Sequence, residues 1–187
     1  KIFLDELSLA INQQVIGRFK MAEDNYYYEV ESMKSNLKYS IATIKNEYKI
    51  SLENIIQHAQ SVKMGIKKSL LVVDMPRGSY NNLKTAKKNA KRVISLTKCD
   101  AIKIESNKKN YEIIKHLVKK KIPVMGHIGY TPQFKKKFKV EGQNKLEANK
   151  LLEEAKLIER AGAFSIVLEC LSPLAAKLIT SKLKIPT

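Results

Sequence analysis

The sequence predicts an α/β protein built on a parallel sheet, and three observations predict it. Short apolar runs such as "LLVVD" and "SIVLE" lack polar alternation, the pattern of strands buried on both faces. Between them lie segments with apolar residues three and four apart, the stripe of an amphipathic helix. Strand and helix alternate through four such units from residue 50 onward, the order that βαβ crossovers require.

Residues 1–49 stand apart as a divergent N-terminal segment. The stretch "EDNYYYEVESMKSNLKYSIATIKNEYK" is tyrosine-rich and polar, and only helices at about 3–20 and 29–47 are expected there. The repeating pattern then opens with "SLENIIQHAQSVKMG", a helix with Leu52, Ile55, Ile56, Ala59 and Val62 inward, Ser51 as N-cap and Gly65 as stop. "LLVVD" (70–74) is the first strand. After the loop "MPRGSYN" comes a helix with Leu83, Ala86, Ala90, Val93 and Ile94 inward. "AIKIE" (101–105) is the next strand, followed by a helical stripe through Ile113, Ile114, Leu117 and Val118. "IPVMGHIG" (122–129) is the third strand, leading into a long loop with a basic run. A helix over 145–161 carries Leu151, Leu152, Ala155 and Ile158 inward and ends at Gly162. "FSIVLE" is the fourth strand, and "SPLAAKLITSKL" a helix with Ser172 as N-cap and Pro173 in its first turn. "IPT" reads as the opening of a further strand. Periodicity does not choose between a (β/α)8 barrel and an open doubly wound sheet. A full barrel takes about 250 residues, so 187 are expected to hold only part of one.

Composition narrows the function classes. A chain that is 44% hydrophobic and 28% charged is globular rather than disordered. No apolar run approaches the ~20 residues of a membrane span, and "KIFLDELSLAINQQVIGRF" lacks the pattern of a signal peptide. A cytoplasmic location is the resulting expectation. Cys99 and Cys170 form no CxxC pair, so inert thiols are expected rather than a disulfide framework or a zinc site. The net charge of +17 raises the question of nucleic acid. Lysine is dispersed over nearly every helical segment, however, and only "QFKKKFKV" (133–140) interleaves aromatics with basic residues. Solvated lysine faces are the better reading, with attraction for anionic metabolites retained.

Chemistry collects at one end of the strands. Asp74, Glu105, His127 and Glu169 close the four apolar runs, and Lys103 shares a strand face with Glu105. Singly, each has a structural explanation: a loop-capping Asp, a Glu reaching solvent, a structural His, a snorkelling Lys. Jointly they occupy the edge at which parallel sheets build their sites. Carboxylate oxygens such as those of Asp74 and Glu105 suit Mg²⁺ better than zinc. A divalent ion beside a lysine can hold a 2-oxo acid and stabilise its enolate, and a further strand-end carboxylate can remove the proton. Gly126 and Gly129 are expected to let the backbone turn tightly and present His127 to a ligand.

The stretches "DMPRGSY", "IKIE", "IPVMGHIGYTPQ", "GAFSIVLECLSPLAAKLIT" and "IPT", in this order, resemble the ketopantoate hydroxymethyltransferase (3-methyl-2-oxobutanoate hydroxymethyltransferase) family over residues 50–187. The resemblance implies a TIM barrel of the phosphoenolpyruvate/pyruvate type, in a homo-oligomer that is often a decamer. It implies transfer of a one-carbon unit from 5,10-methylenetetrahydrofolate to 3-methyl-2-oxobutanoate, giving 2-dehydropantoate in pantothenate biosynthesis. Asp74 would ligate Mg²⁺ and contact substrate, Glu105 would support the metal, Lys103 would hold the oxo acid and His127 would line the site. Glu169 would be the base that removes the C3 proton. The family's earlier Val-Gly-Asp-Ser-Leu-Gly stretch, with a second metal aspartate, has no counterpart around Asp5 or Asp24. Ser106-Asn107 stands in place of a Gly-Gly pair, and "FKKKFKV" in place of a Gly-Gly-Tyr loop. An incomplete transferase with weak Mg²⁺ binding is therefore expected. The alternative is a degenerate, non-catalytic barrel-like protein that binds RNA or acidic partners through its basic surface.

Overall fold

A computed structural model describes residues 50–187 apart from 107–109 and 136. The helices expected at 3–20 and 29–47 lie outside the described residues. Ile50–Thr187 is one compact unit.

Helix α1 (Leu52–Gly65) starts at Ser51, whose hydroxyl accepts from Asn54 N–H while Asn54 Oδ1 accepts from Ser51 N–H, a reciprocal cap. Ile56 and Ala59 are buried. Val62, expected inward, is exposed, because α1 runs about 21 Å over a strand of only about 10 Å. That strand, β1, is Val72–Asp74, so the expected run starts two residues late and Leu70 is solvent-facing. Helix α2 (Leu83–Thr97) is capped by Asn82 and buries Ala86, Ala90 and Val93 completely; Leu83, at its first position, is exposed. Strand β2 (Ala101–Glu105), helix α3 (Tyr111–Lys119) and strand β3 (Val124–Gly129) follow as the pattern requires. Helix α4 (Lys145–Arg160) begins at Asn144 and buries the expected stripe plus Ala148. Gly162 takes a left-handed turn (φ +92°) after it. Strand β4 (Ser165–Glu169) and helix α5 (Pro173–Lys182), capped by Ser172, complete the unit. "IPT" forms no strand; Pro186 accepts one backbone hydrogen bond from Ile166 (3.0 Å) and lies beside β4.

The sheet is parallel throughout, in the order β1-β2-β3-β4. A doubly wound sheet reverses its strand order at a switch point, and this one does not. With right-handed crossovers an unbroken order places every helix on one face. The described residues thus form a singly wound, four-stranded parallel sheet. Strand alternation divides the sheet's faces. Val73, Ile102, Ile104, Val124, Ile128 and Ile166 are buried in the core. Asp74, Lys103, Glu105, His127 and Glu169 fall on the opposite parity. Among the described residues no helix is long and apolar enough to cross a membrane. Both cysteines are free thiols, Cys99 buried and Cys170 half-buried.

Candidate active site

Register brings the residues of the polar face together. Asp74 pairs with Lys103, Glu105 with His127, and Gly129 with Glu169. Parallel partners in register project to the same side, so four strands deliver their polar side chains to one surface. Lys103 Nζ lies 2.7 Å from Asp74 Oδ2 and 3.3 Å from His127 Nδ1. His127 Nε2 lies 3.1 Å from Glu169 Oε2. The result is one continuous line of contacts from β1 to β4.

His127 does not close its strand. It sits two residues before the end of β3, fully buried, because β3 continues to Gly129. Burial, helped by the positive charges of Lys103 and Lys135 and opposed by the backbone at Tyr130, pulls its pKa down to about 4. The ring is neutral at pH 7. An ammonium can only donate, so Nδ1 accepts from Lys103 and the ring proton resides on Nε2. That N–H finds no well-aligned acceptor despite the closeness of Glu169, leaving a buried donor aimed along the polar face.

The glycines around His127 divide their work. Gly126, expected to form a turn, lies inside β3 where α4 crosses: a Cβ there would stand 2.4 Å from Ile158 Cγ2. Its role is close packing of helix on sheet. Gly129 does turn, with φ +93°, and a Cβ would stand 2.1 Å from the Glu169 carbonyl oxygen. That same carbonyl accepts from Tyr130 N–H (2.9 Å), so the turn after β3 is fastened to the end of β4.

Two carboxylates fit a hard cation. Asp74 uses Oδ2 on Lys103, while its Oδ1 is buried without a partner. Burial raises the Asp74 pKa against the lowering effect of Lys103. Glu105, 2% exposed, is also raised, by burial first and then by the charges of Asp74 and Glu169, against the Gln133 N–H and Lys103. Excess negative charge with an orphaned oxygen is what Mg²⁺, usually held by one or two carboxylates, would relieve. No group of three or more His, Cys, Asp or Glu side chains at ligating distance occurs among the described residues. A cation held by Asp74 and Glu105 would need water or substrate to complete its shell.

Sequence reasoning missed the residues that brace these acids. Gln133 N–H donates to Glu105 Oε2 (2.9 Å), and Gln133 Nε2 donates to the Met75 carbonyl (2.9 Å). The Tyr80 hydroxyl donates to Gln133 Oε1 (2.7 Å). Burial, together with the Glu105 and Asp74 charges, raises the Tyr80 pKa well above the phenol range and keeps that donor protonated. Both residues sit inside the motif stretches, but nothing in spacing pairs position 80 with position 133. The basic loop is fastened too: Lys135 Nζ donates to the Gly129 carbonyl (2.8 Å) and to Glu141 Oε1 (2.5 Å).

Comparison with known proteins agrees with this architecture. Residues 34–187 match the family model described as ketopantoate hydroxymethyltransferase. The chain is 52% identical over 149 residues to a 3-methyl-2-oxobutanoate hydroxymethyltransferase of Pelagibacter ubique (strain HTCC1062), covering 80% of this chain and 57% of that protein. It is 39% identical over 165 residues to the protein of the same name from Campylobacter curvus (strain 525.92), covering 87% and 61%. Against the Clostridium botulinum (strain Alaska E43 / Type E3) protein of that name, identity is 44% over 142 residues, covering 74% and 52%. The chain thus spans between about half and three-fifths of the length of these relatives. The matches favour the transferase reading over an RNA-binding relic.

Proposed function

The chain belongs to the ketopantoate hydroxymethyltransferase family, and from that premise we propose that it serves hydroxymethyl transfer from 5,10-methylenetetrahydrofolate to 3-methyl-2-oxobutanoate, giving 2-dehydropantoate. The described four-stranded parallel sheet is in keeping with part of a (β/α)8 barrel, the form in which we propose that it works. The observation that carries the reading is the unbroken line Asp74–Lys103–His127–Glu169 on the polar side of the sheet, with Glu105 beside it.

Each residue then has a role set by its surroundings. Lys103 offers its ammonium to the oxo acid's anionic end, and Asp74 holds that ammonium in place. His127 donates Nε2–H to a substrate oxygen and, being neutral, adds no charge of its own. Glu169, whose nearest basic partner among the described residues is this neutral imidazole, takes the C3 proton. The electron pair left at C3 forms the new bond to the donor's methylene carbon as one folate nitrogen lets go of it and takes up the proton. Water then displaces the second nitrogen, supplying the hydroxyl oxygen, and tetrahydrofolate leaves with the proton that water gives up. Asp74 and Glu105 would hold Mg²⁺, which when bound supplies positive charge against the oxygen that becomes negative as the proton leaves.

The test is exchange of the C3 proton of 3-methyl-2-oxobutanoate with solvent deuterium, followed by proton NMR with Mg²⁺ and without folate. Loss of a positioned base costs roughly 10²–10⁴-fold, so Glu169→Gln should abolish the exchange that the unaltered chain supports. Equal exchange rates in the two proteins, or none in the unaltered chain, would overturn the reading.

A further inference from the structure

The Asp74 and Glu105 carboxyl groups come from adjacent strands, and the Asp74 charge disfavours ionisation of Glu105. What fixes their spacing is not the sheet alone. β1 has three residues and pairs with β2 at three positions, extended by one hydrogen bond from Met75 N–H to the Lys103 carbonyl (3.0 Å). Past that point the chain leaves as a loop that must bring Tyr80 into the core, where it is 3% exposed. Gln133 reaches this loop from across the site. Its side chain holds the Met75 carbonyl and the Tyr80 hydroxyl, 58 and 53 residues away in sequence, while its own N–H holds Glu105. One residue on the loop after β3 thus ties the end of β1 to the end of β2.

We propose that Gln133 is a positioning residue that sets the separation of Asp74 and Glu105, and with it the affinity of the site for a divalent cation and the oxo acid. Tyr80 is the second half of the same device. Its hydroxyl points Gln133 Oε1 away from Met75, which leaves Nε2 as the donor to the Met75 carbonyl. Neither side chain is placed against substrate; both act through the carboxylates. Met75 and Tyr80 are buried, so a lost bond here leaves polar groups that water does not readily reach.

This rests on the metal-dependent reading above, and two measurements separate its failure from the failure of that reading. The first is calorimetric titration of Mg²⁺, or of Mn²⁺ as a probe, into the full chain with and without 3-methyl-2-oxobutanoate. A buried hydrogen bond to a charged or polar partner corresponds to about a tenfold change in an equilibrium constant. Gln133→Ala and Tyr80→Phe should each weaken cation binding by about that factor, and the double variant should be little worse than Gln133→Ala alone, because the two bonds form one chain. Unchanged cation affinity in both single variants overturns the proposal. The second measurement is amide hydrogen exchange over residues 75–80 and 130–135, which needs no metal. Gln133→Ala and the more conservative Tyr80→Phe should both speed exchange in both segments while exchange in α4 stays as it was. If the chain binds no cation at all, the transferase reading fails and exchange alone decides: unaltered protection at 75–80 in Gln133→Ala overturns the positioning claim, and coupled loss sustains it.

Discussion

His127 should make the protein's stability fall as pH drops from neutrality toward 5. The imidazole's pKa is 6.5 in the unfolded chain and about 4 in the folded one. Between those values the unfolded state binds more protons, so stability rises with pH there and is fully present only above 6.5. Taking the pH from about 7.5 to about 5 converts to a loss of about 2 kcal/mol from this one residue. Asp74 and Glu105 act in the opposite sense, since their folded pKa values are raised and protonation favours the folded form as pH falls through them. The informative quantity is therefore a difference. Urea unfolding of the unaltered protein and of His127→Gln, compared at each pH, removes most of the carboxylate contribution. Glutamine keeps a donor and an acceptor but does not titrate. The gap between the two proteins should shift by about 2 kcal/mol in favour of the variant at pH 5. A gap that stays constant from pH 7.5 to 5 would refute the claim that a buried neutral imidazole beside Lys103 lies at the centre of the sheet.

Three further outcomes follow from packing and caps. Gly126→Ala places a Cβ 2.4 Å from Ile158 Cγ2 in a filled core, an overpacking worth about 1–3 kcal/mol; thermal unfolding should show the loss. Ile158→Ala should restore part of it, whereas Ile158→Val, which keeps a branch at that position, should not. Gly129→Ala meets both a left-handed φ and the Glu169 carbonyl, so it should cut deuterium exchange into the oxo acid more severely than Gly126→Ala does at equal folded fraction. Ser172→Ala removes the α5 cap and the hydroxyl's bond to the Gly142 carbonyl; about 1–2 kcal/mol should be lost in chemical denaturation.

How much was legible in the sequence differs by level. The α/β alternation, the parallel sheet and the strand-end acids were visible because each is a local pattern with its own period. Burial at element ends was not: Val62, Leu70 and Leu83 fit the apolar stripe, yet each lies where a short strand or a helix terminus leaves nothing to cover it. Strand order was invisible for a related reason, since periodicity gives faces and not neighbours. Gly126 was misread because a glycine inside a strand and one at its end look alike until the crossing helix is known. Gln133 and Tyr80 could have been marked only by knowing that the loops after β1 and β3 meet, a tertiary fact.

The charge order along the polar face has a consequence that no single residue shows. From β1 to β4 it runs carboxylate, ammonium, neutral imidazole, carboxylate. Were His127 protonated, Glu169 would face a cation at 3.1 Å and would be held as an ion-pair partner. Lys103 prevents this twice over. It occupies Nδ1, which fixes the proton on the nitrogen facing Glu169, and its charge helps keep the ring from gaining a second proton. Asp74 in turn keeps Lys103 where it can do both. The two acids at the ends of the line therefore differ in surroundings because of what stands between them: one lies against a cation, and the other is kept from one by a ring too deeply buried to charge.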